Sequence, residues 1–219
     1  MKYRLTTEQY RRIKEEIDRR MTPDAFGETT IQSLYYDTDD FRIIRASIEK
    51  PAFKEKLRLR CYGINDTDKN VYLEMKRKAD DVVYKRRIFC KEGDVPAMLS
   101  GNMPQSQIGA ELDYFVRFYG RLSPKALILY DRQAFFDPNS DLRVTFDRNL
   151  RYRTDGFDLS LPLEGRLLLP EDSFLFEIKT STSVPLWLCR LLGEMKIQKN
   201  SFSKYGEVYI REYCKKEVI

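Results

Sequence analysis

The stretch Lys54-Glu55-Lys56-Leu57-Arg58-Leu59-Arg60-Cys61 alternates strictly between two kinds of side chain. Period two is the repeat of a β-strand, so Lys54, Lys56, Arg58 and Arg60 share one face while Glu55, Leu57, Leu59 and Cys61 share the other. Successive cations on such a face lie about 7 Å apart. At that spacing they repel unless water or a polyanion screens them. One strand of this kind is ordinarily a solvated sheet face with scattered Lys and Arg.

The pattern recurs along the chain, and the repetition changes its weight. Near 70–78, Tyr72, Glu74, Lys76 and Lys78 share a face, with Val71, Leu73 and Met75 behind them. Tyr84 and Arg86 alternate with Lys85 and Arg87, so basic side chains point both ways there. Tyr130 and Arg132 share a face, as do Arg143, Thr145 and Asp147, and Leu175, Glu177 and Lys179. The apolar faces need a core to bury against, so if these strands share one closed sheet the cations converge inside. An interior of Lys and Arg requires an anionic occupant or ample water. Phosphates are the natural occupant, because Arg grips their oxygens bidentately and Lys acts as a point charge.

Glu74 and Glu177 each stand in a Glu-x-Lys pattern among the cations. Each is either a salt-bridge partner or an oxygen ligand for Mg²⁺ or Mn²⁺, ions that suit carboxylate and phosphate together. Near the C-terminal end, Lys196, Lys199 and Lys204 surround Asn200-Ser201-Phe202-Ser203. Ser203 fits the N-cap of a last helix, and free N–H groups beside Lys204 favour an anion. Taken alone, that segment is a basic loop with a capping serine.

The remaining pattern frames these strands with helices. Thr6-Thr7-Glu8-Gln9 has the form of a capping box, and Tyr10, Ile13 and Ile17 follow at helical spacing, which predicts a helix over about 7–20 that Thr22-Pro23-Asp24 and Gly27 end. Strands are expected near 30–36, 53–62, 70–78 and 82–90, with a turn cluster at Ile64-Asn65-Asp66-Thr67-Asp68. A helix over 107–121 carries Ile108, Leu112, Phe115, Val116 and Tyr119 on one face and ends near Gly120. Further strands are expected near 125–136, 141–148, 150–153 and 173–179, with 157–168 unassigned. Helices over 184–195 and 203–213 finish the chain. The order predicts a single α+β domain over 1–219 whose antiparallel sheet closes into a barrel.

Composition narrows the chemistry. The 219 residues carry 39 Lys and Arg against 34 Asp and Glu, a formal charge of +5, four cysteines and no histidine. Without histidine there is no Ser-His-Asp triad and no Cys-His nucleophile, and without a CxxC pair a structural zinc site has no signature. Catalysis is left to carboxylates, Lys, Arg, Tyr or an oxygen-ligated metal. Apolar runs such as Ala126-Leu127-Ile128-Leu129-Tyr130 are too short to cross a bilayer, and a cytoplasmic location is expected.

Several segments, taken in order, are similar to one known family. They are Ser33-Leu34-Tyr35-Tyr36-Asp37-Thr38, Lys56-Leu57-Arg58-Leu59-Arg60-Cys61-Tyr62-Gly63 and Tyr72-Leu73-Glu74-Met75-Lys76-Arg77-Lys78, then Val83-Tyr84-Lys85-Arg86-Arg87 and Tyr130-Asp131-Arg132. Leu142-Arg143-Val144-Thr145-Phe146-Asp147, Phe176-Glu177-Ile178-Lys179 and Phe202-Ser203-Lys204-Tyr205 complete the set. Together they resemble the VTC domain, the polyphosphate polymerase domain of the vacuolar transporter chaperone complex and its bacterial relatives, within the triphosphate tunnel (CYTH-like) superfamily.

The resemblance implies a closed antiparallel eight-stranded β-barrel, the triphosphate tunnel, and transfer of the ATP γ-phosphate onto a polyphosphate chain with Mn²⁺ or Mg²⁺. By the same resemblance Arg58, Arg60, Lys76, Arg132 and Arg143 bind phosphates with Tyr130 beside them. Ser203 and Lys204 grip phosphate at the tunnel end, Lys179 adds charge and Glu177 holds the metal. One of Lys85, Arg86 and Arg87 joins them, and Lys2 and Lys56 are further phosphate ligands. The family usually opens with an acidic residue just ahead of a Lys-Tyr pair, whereas Lys2-Tyr3 here follow Met1 directly.

Two other functions fit nearly the same cradle: hydrolysis of tripolyphosphate or nucleoside triphosphates, and non-enzymatic binding of polyphosphate. The expected ligands are ATP or another nucleoside triphosphate, polyphosphate, pyrophosphate and triphosphate. A membrane partner protein is compatible with the family. Nucleic acid is not an expected partner, since the net charge is low and Tyr62, Tyr72 and Tyr84 give no evident stacking platform in the sequence.

Overall fold

The structure is a computed structural model that describes residues 1–49, 52–63, 70–80 and 82–214. The expected turn at Ile64-Asn65-Asp66-Thr67-Asp68 lies outside the described residues. In chain order the elements are β1 (Lys2–Leu5), α1 (Thr7–Arg20), β2 (Thr22–Asp37), α2 (Arg42–Ile48), β3 (Phe53–Tyr62), β4 (Asn70–Ala79) and β5 (Val82–Lys91). A 3₁₀ turn at Glu92–Asp94 leads into α3 (Val95–Leu99) and α4 (Gln107–Tyr119). The rest are β6 (Ser123–Phe136), β7 (Arg143–Arg153), β8 (Arg166–Leu167), β9 (Phe174–Lys179), α5 (Leu186–Glu194) and α6 (Lys204–Glu212).

The strands pair in the order β1-β9-β7-β6-β2-β3-β4-β5, with β8 beside β7. The α+β class and the antiparallel sheet follow the sequence. Closure into the expected eight-stranded barrel is not shown: eight strands follow one path, the short β8 lies off it beside β7, and among the described residues no pairing joins β5 to β1. The chain divides into two compact units of interleaved segments, one made of 1–30, 130–151 and 167–203, the other of 31–129, 152–166 and 204–219.

In the first unit the apolar faces of β1, β7 and β9 meet two helices. Tyr3, Leu5, Val144, Phe146, Phe174, Phe176 and Ile178 pack with Ile13 and Ile17 of α1 and with Leu188, Leu191 and Leu192 of α5. Helix α1 starts where its sequence requires: the Thr6 hydroxyl accepts from the Gln9 N–H at 3.2 Å and the Gln9 side chain accepts from the Thr6 N–H at 3.0 Å. Each large apolar side chain so buried contributes about 1.5–3 kcal/mol before conformational entropy is charged against it.

In the second unit β3 and β4 place Leu57, Leu59, Cys61, Val71, Leu73 and Met75 against Leu112, Phe115 and Val116 of α4 and Ile43 of α2. These are the apolar positions read from the alternation, so the cationic positions of the same strands face the other way. Helix α2 is held by a buried carboxylate. Asp37 accepts from the Thr38, Ile43 and Ile44 N–H groups at 2.8, 2.9 and 3.0 Å and from the Tyr205 hydroxyl at 3.0 Å, which ties α2 to α6. Burial raises the Asp37 pKa, against the pull of those donors.

Candidate functional site

The antiparallel register of β2, β3, β4 and β5 turns the alternating cations into rows that run across the strands. Tyr35 stands opposite Arg58, Arg58 opposite Glu74, and Glu74 opposite Arg87. One step along, Lys56 stands opposite Lys76 and Lys76 opposite Lys85. One step the other way, Ser33 stands opposite Arg60, Arg60 opposite Tyr72, and Tyr72 opposite Phe89. Lys54 and Lys78 form the next pair beyond the lysine row.

Glu74 is the hub of these rows. Its carboxylate is 1% exposed, and four cations reach it: Arg58 at 2.8 Å, Lys85 at 2.8 Å, Arg87 at 2.9 Å and Arg60 at 3.7 Å. Burial alone raises a carboxylate pKa, but Arg58, Arg60 and Lys85 outweigh it and hold Glu74 at about 2. Among the described residues, one buried negative charge therefore organises four positive ones. The lysine row brings two further cations, Lys56 and Lys76, beside Lys85. Like charges directly opposite destabilise a sheet, by about 1–3 kcal/mol if the ammonium groups stay near the cross-strand spacing.

Tyr35 completes the cluster, a role that its place in the sequence does not reveal. It is buried, its hydroxyl accepts from Arg58 Nη1 at 3.2 Å, and its ring stacks on Tyr205 with centroids 4.8 Å apart. Burial pushes its pKa up, yet Arg58, Lys56 and Arg60 push harder and bring it down to about 7. The Ser33 hydroxyl, 1% exposed and opposite Arg60, has no hydrogen-bond partner among the described residues. The signal for both was parity: positions 33 and 35 share the face that meets Arg60 and Arg58.

Register also settles which way β5 points. Lys85 and Arg87 reach Glu74, whereas Arg86 turns to the opposite side and pairs with Glu111 of α4 at 2.9 Å.

The first unit carries its own polar rows. Lys2 stands opposite Glu177, and Glu177 opposite Thr145; Arg143 stands opposite Lys179. Lys179 Nζ is 3.9 Å from the Glu177 carboxylate. Arg132 makes a bidentate pair with Asp147 at 2.6 and 2.8 Å, and its guanidinium lies 5.2 Å from the Tyr130 ring centroid. Burial would loosen the Arg132 proton, but Tyr130, Asp147 and Glu177 raise its pKa instead. Lys2 Nζ donates to the Phe202 carbonyl at 2.8 Å, one residue ahead of Ser203. Helix α6 begins at Lys204, directly after Ser203.

The two glutamates differ as metal ligands. Among the described residues there is no group of three or more His, Cys, Asp or Glu side chains that would hold an ion unaided. Mg²⁺ and Mn²⁺ in phosphate sites commonly take one or two carboxylates and complete their shell with phosphate oxygens and water. Glu177, a half-buried carboxylate beside Thr145, fits that donor set. Glu74 does not, because both its oxygens already face cations that would repel an incoming divalent ion. Of the two roles left open by its sequence position, the salt-bridge one matches the geometry.

Comparison with known proteins bears on the family and the fold. The model of the VTC domain family matches residues 1–211. Subunit 4 of the vacuolar transporter chaperone complex of Schizosaccharomyces pombe is 29% identical over an alignment of 159 positions that covers 60% of this chain and 22% of that protein. The match thus spans about a fifth of the relative's length. Among solved structures, a candidate adenylate cyclase of Bacillus halodurans superposes with a TM-score of 0.57 at 12% identity, covering 97% of this chain and 95% of its own, a likeness of fold alone. A family match over nearly the whole chain, on strands whose register gathers the motif cations about Glu74, shows that the chain belongs to the VTC domain family.

Proposed function

We propose that the protein is a polyphosphate polymerase-type phosphotransferase that moves the γ-phosphate of ATP onto a polyphosphate chain. The observation that carries this is the gathering of cations about Glu74: among the described residues Arg58, Arg60, Lys85 and Arg87 converge on one carboxylate, beside two further lysines, Lys56 and Lys76. A chain of phosphates is the ligand that relieves such repulsion at several points at once.

In this proposal Arg58, Arg60, Lys56, Lys76, Lys85, Arg87 and Lys204 of the second unit bind phosphate oxygens, and within the first unit Lys2, Arg132, Arg143, Lys179 and Ser203 do so. Tyr130 fixes the Arg132 guanidinium from its ring face. Glu177 holds Mg²⁺ or Mn²⁺, which when bound neutralises charge on the transferring phosphoryl group. The chain's own part is to position donor and acceptor phosphates in line and to stabilise the equatorial oxygens with fixed cations. The name and family of the Schizosaccharomyces pombe relative support the proposal.

The test is incubation with γ-labelled ATP, Mn²⁺ and a short polyphosphate primer, with products resolved on a gel beside free phosphate. Labelled long chains are expected, and Arg58→Ala should lose them. Release of labelled orthophosphate alone would make water the acceptor and the protein a triphosphatase. Tight triphosphate binding without turnover would make it a binding module.

A further inference from the structure

One end of the cation rows is aromatic. On the face of β3 that carries Arg58 and Arg60 the next residue is Tyr62, and on β4 and β5 the positions flanking Glu74 and Arg87 are Tyr72 and Phe89. Tyr62 meets Tyr72 edge to face with centroids 6.0 Å apart, and Tyr72 lies 5.2 Å from Phe89. The Arg87 guanidinium sits 4.8 Å from the Tyr72 ring centroid, so one residue touches both the carboxylate hub and the aromatic group. Tyr62 is 42% exposed and Phe89 58% exposed.

Cross-strand aromatic pairing accounts for the contact between Tyr72 and Phe89, since such pairs stabilise a sheet. It does not account for two large rings left open to solvent beside a concentration of positive charge. Burying them against the apolar side of the sheet is excluded by parity, because that side belongs to Leu59, Cys61, Val71 and Leu73.

We propose that Tyr62, Tyr72 and Phe89 form a stacking platform for the base of a nucleoside triphosphate whose phosphates lie along Arg60, Arg58 and Lys56. The inference rests on the phosphate-binding proposal and adds where the nucleoside goes. Successive positions on this face are about 7 Å apart, so the platform is one step from Arg60 and the lysine row lies two steps beyond. The base end and the terminal-phosphate end of the ligand are thereby assigned opposite ends of the same rows. Aromatic rings read the face of a base rather than its edge, so binding tolerates different bases and favours the larger purine surface. Arg87 strengthens the platform by its own stacking on Tyr72.

The experiment is calorimetric titration of the chain with ATP and, separately, with tripolyphosphate, in Mg²⁺. Wild type is compared with the Tyr62→Ala/Phe89→Ala double variant and with Tyr62→Phe as a ring-preserving control. Both truncated side chains are exposed, and equal melting temperatures will show that the fold is kept. The double variant should bind ATP roughly ten-fold more weakly, leave tripolyphosphate affinity unchanged, and be matched to wild type by Tyr62→Phe. If both ligands weaken alike, or neither does, the platform is wrong while phosphate binding stands. If wild type binds neither ligand, the phosphate proposal itself falls and this inference with it. A single-stranded oligoadenylate held more tightly than ATP, with the same loss in the variant, would overturn the nucleotide assignment in favour of a strand-binding face.

Discussion

Arg58 stands directly opposite Glu74 on neighbouring strands, and its guanidinium meets the Glu74 carboxylate at 2.8 Å. The pair is the centre of a cluster in which, among the described residues, four cations meet one carboxylate. It holds them in place at a cost in repulsion that an anionic ligand removes.

Removing that carboxylate charge should show its structural role. We expect Glu74→Gln to lose about 3 kcal/mol in denaturant unfolding, as breaking a buried ion pair does, and to recover part of the loss on adding tripolyphosphate. The pH dependence has a defined sign. The Glu74 pKa is about 2 in the fold against an ordinary 4.5, so its contribution is full above about 4.5 and is lost as pH falls toward 2. Acid unfolding of Glu74→Gln should be correspondingly flatter over that window. A variant as stable as wild type would remove Glu74 from the centre of the cluster.

Tyr35 offers a spectroscopic handle. Its pKa near 7 lies below the ordinary 10, so the phenolate contribution to stability is absent below about 7 and grows as pH rises toward 10. Phenolate absorbance of wild type should show a step near neutrality that Tyr35→Phe lacks. Saturating tripolyphosphate should move that step upward, because phosphate competes with the phenolate for Arg58. An identical absorbance titration in both proteins would contradict the assignment.

Asp37 is the structural counterpart to these cations. Because it satisfies three backbone N–H groups and the Tyr205 hydroxyl, Asp37→Ala should cost about 3 kcal/mol. Asp37→Asn should cost less, since it keeps one acceptor oxygen. Thermal or denaturant unfolding checks both, and a loss under 1 kcal/mol for the alanine variant would show that α2 is held otherwise.

How much of this was legible in the sequence depended on whether a feature is local. The capping box at Thr6 and Gln9 starts α1 as expected, and the parity of 54–61 and 71–78 gave the buried and cationic faces correctly. Strand β2 begins at Thr22, earlier than expected, because Pro23 and Gly27 read as turn residues although the strand runs through both. Segments 141–148 and 150–153 are one strand, β7. Strand β1 is four residues long and has no pattern of its own; it exists by pairing with β9. Helix α2 follows Phe41 at φ +59 and leans on Asp37, which is itself fixed by Tyr205, 168 residues away and outside any local window.

The site followed the same division. Which residue types would gather was visible in the alternation, but the role of Glu74 and the direction of Lys85 against Arg86 were set by register between strands. Tyr35 and Ser33 have no readable role in the sequence because nothing in β2 alone marks its polar face as the one opposite Arg58 and Arg60.

The most direct measurement is thermal unfolding of wild type and Lys76→Gln, each with and without tripolyphosphate. Lys76 is exposed in the middle of the lysine row, so neutralising it should leave the ligand-free melting temperature unchanged or slightly higher. Tripolyphosphate should raise the melting temperature of wild type markedly and that of Lys76→Gln clearly less. An equal rise in both proteins, or no rise in wild type, would contradict the claim that these rows hold a chain of phosphates.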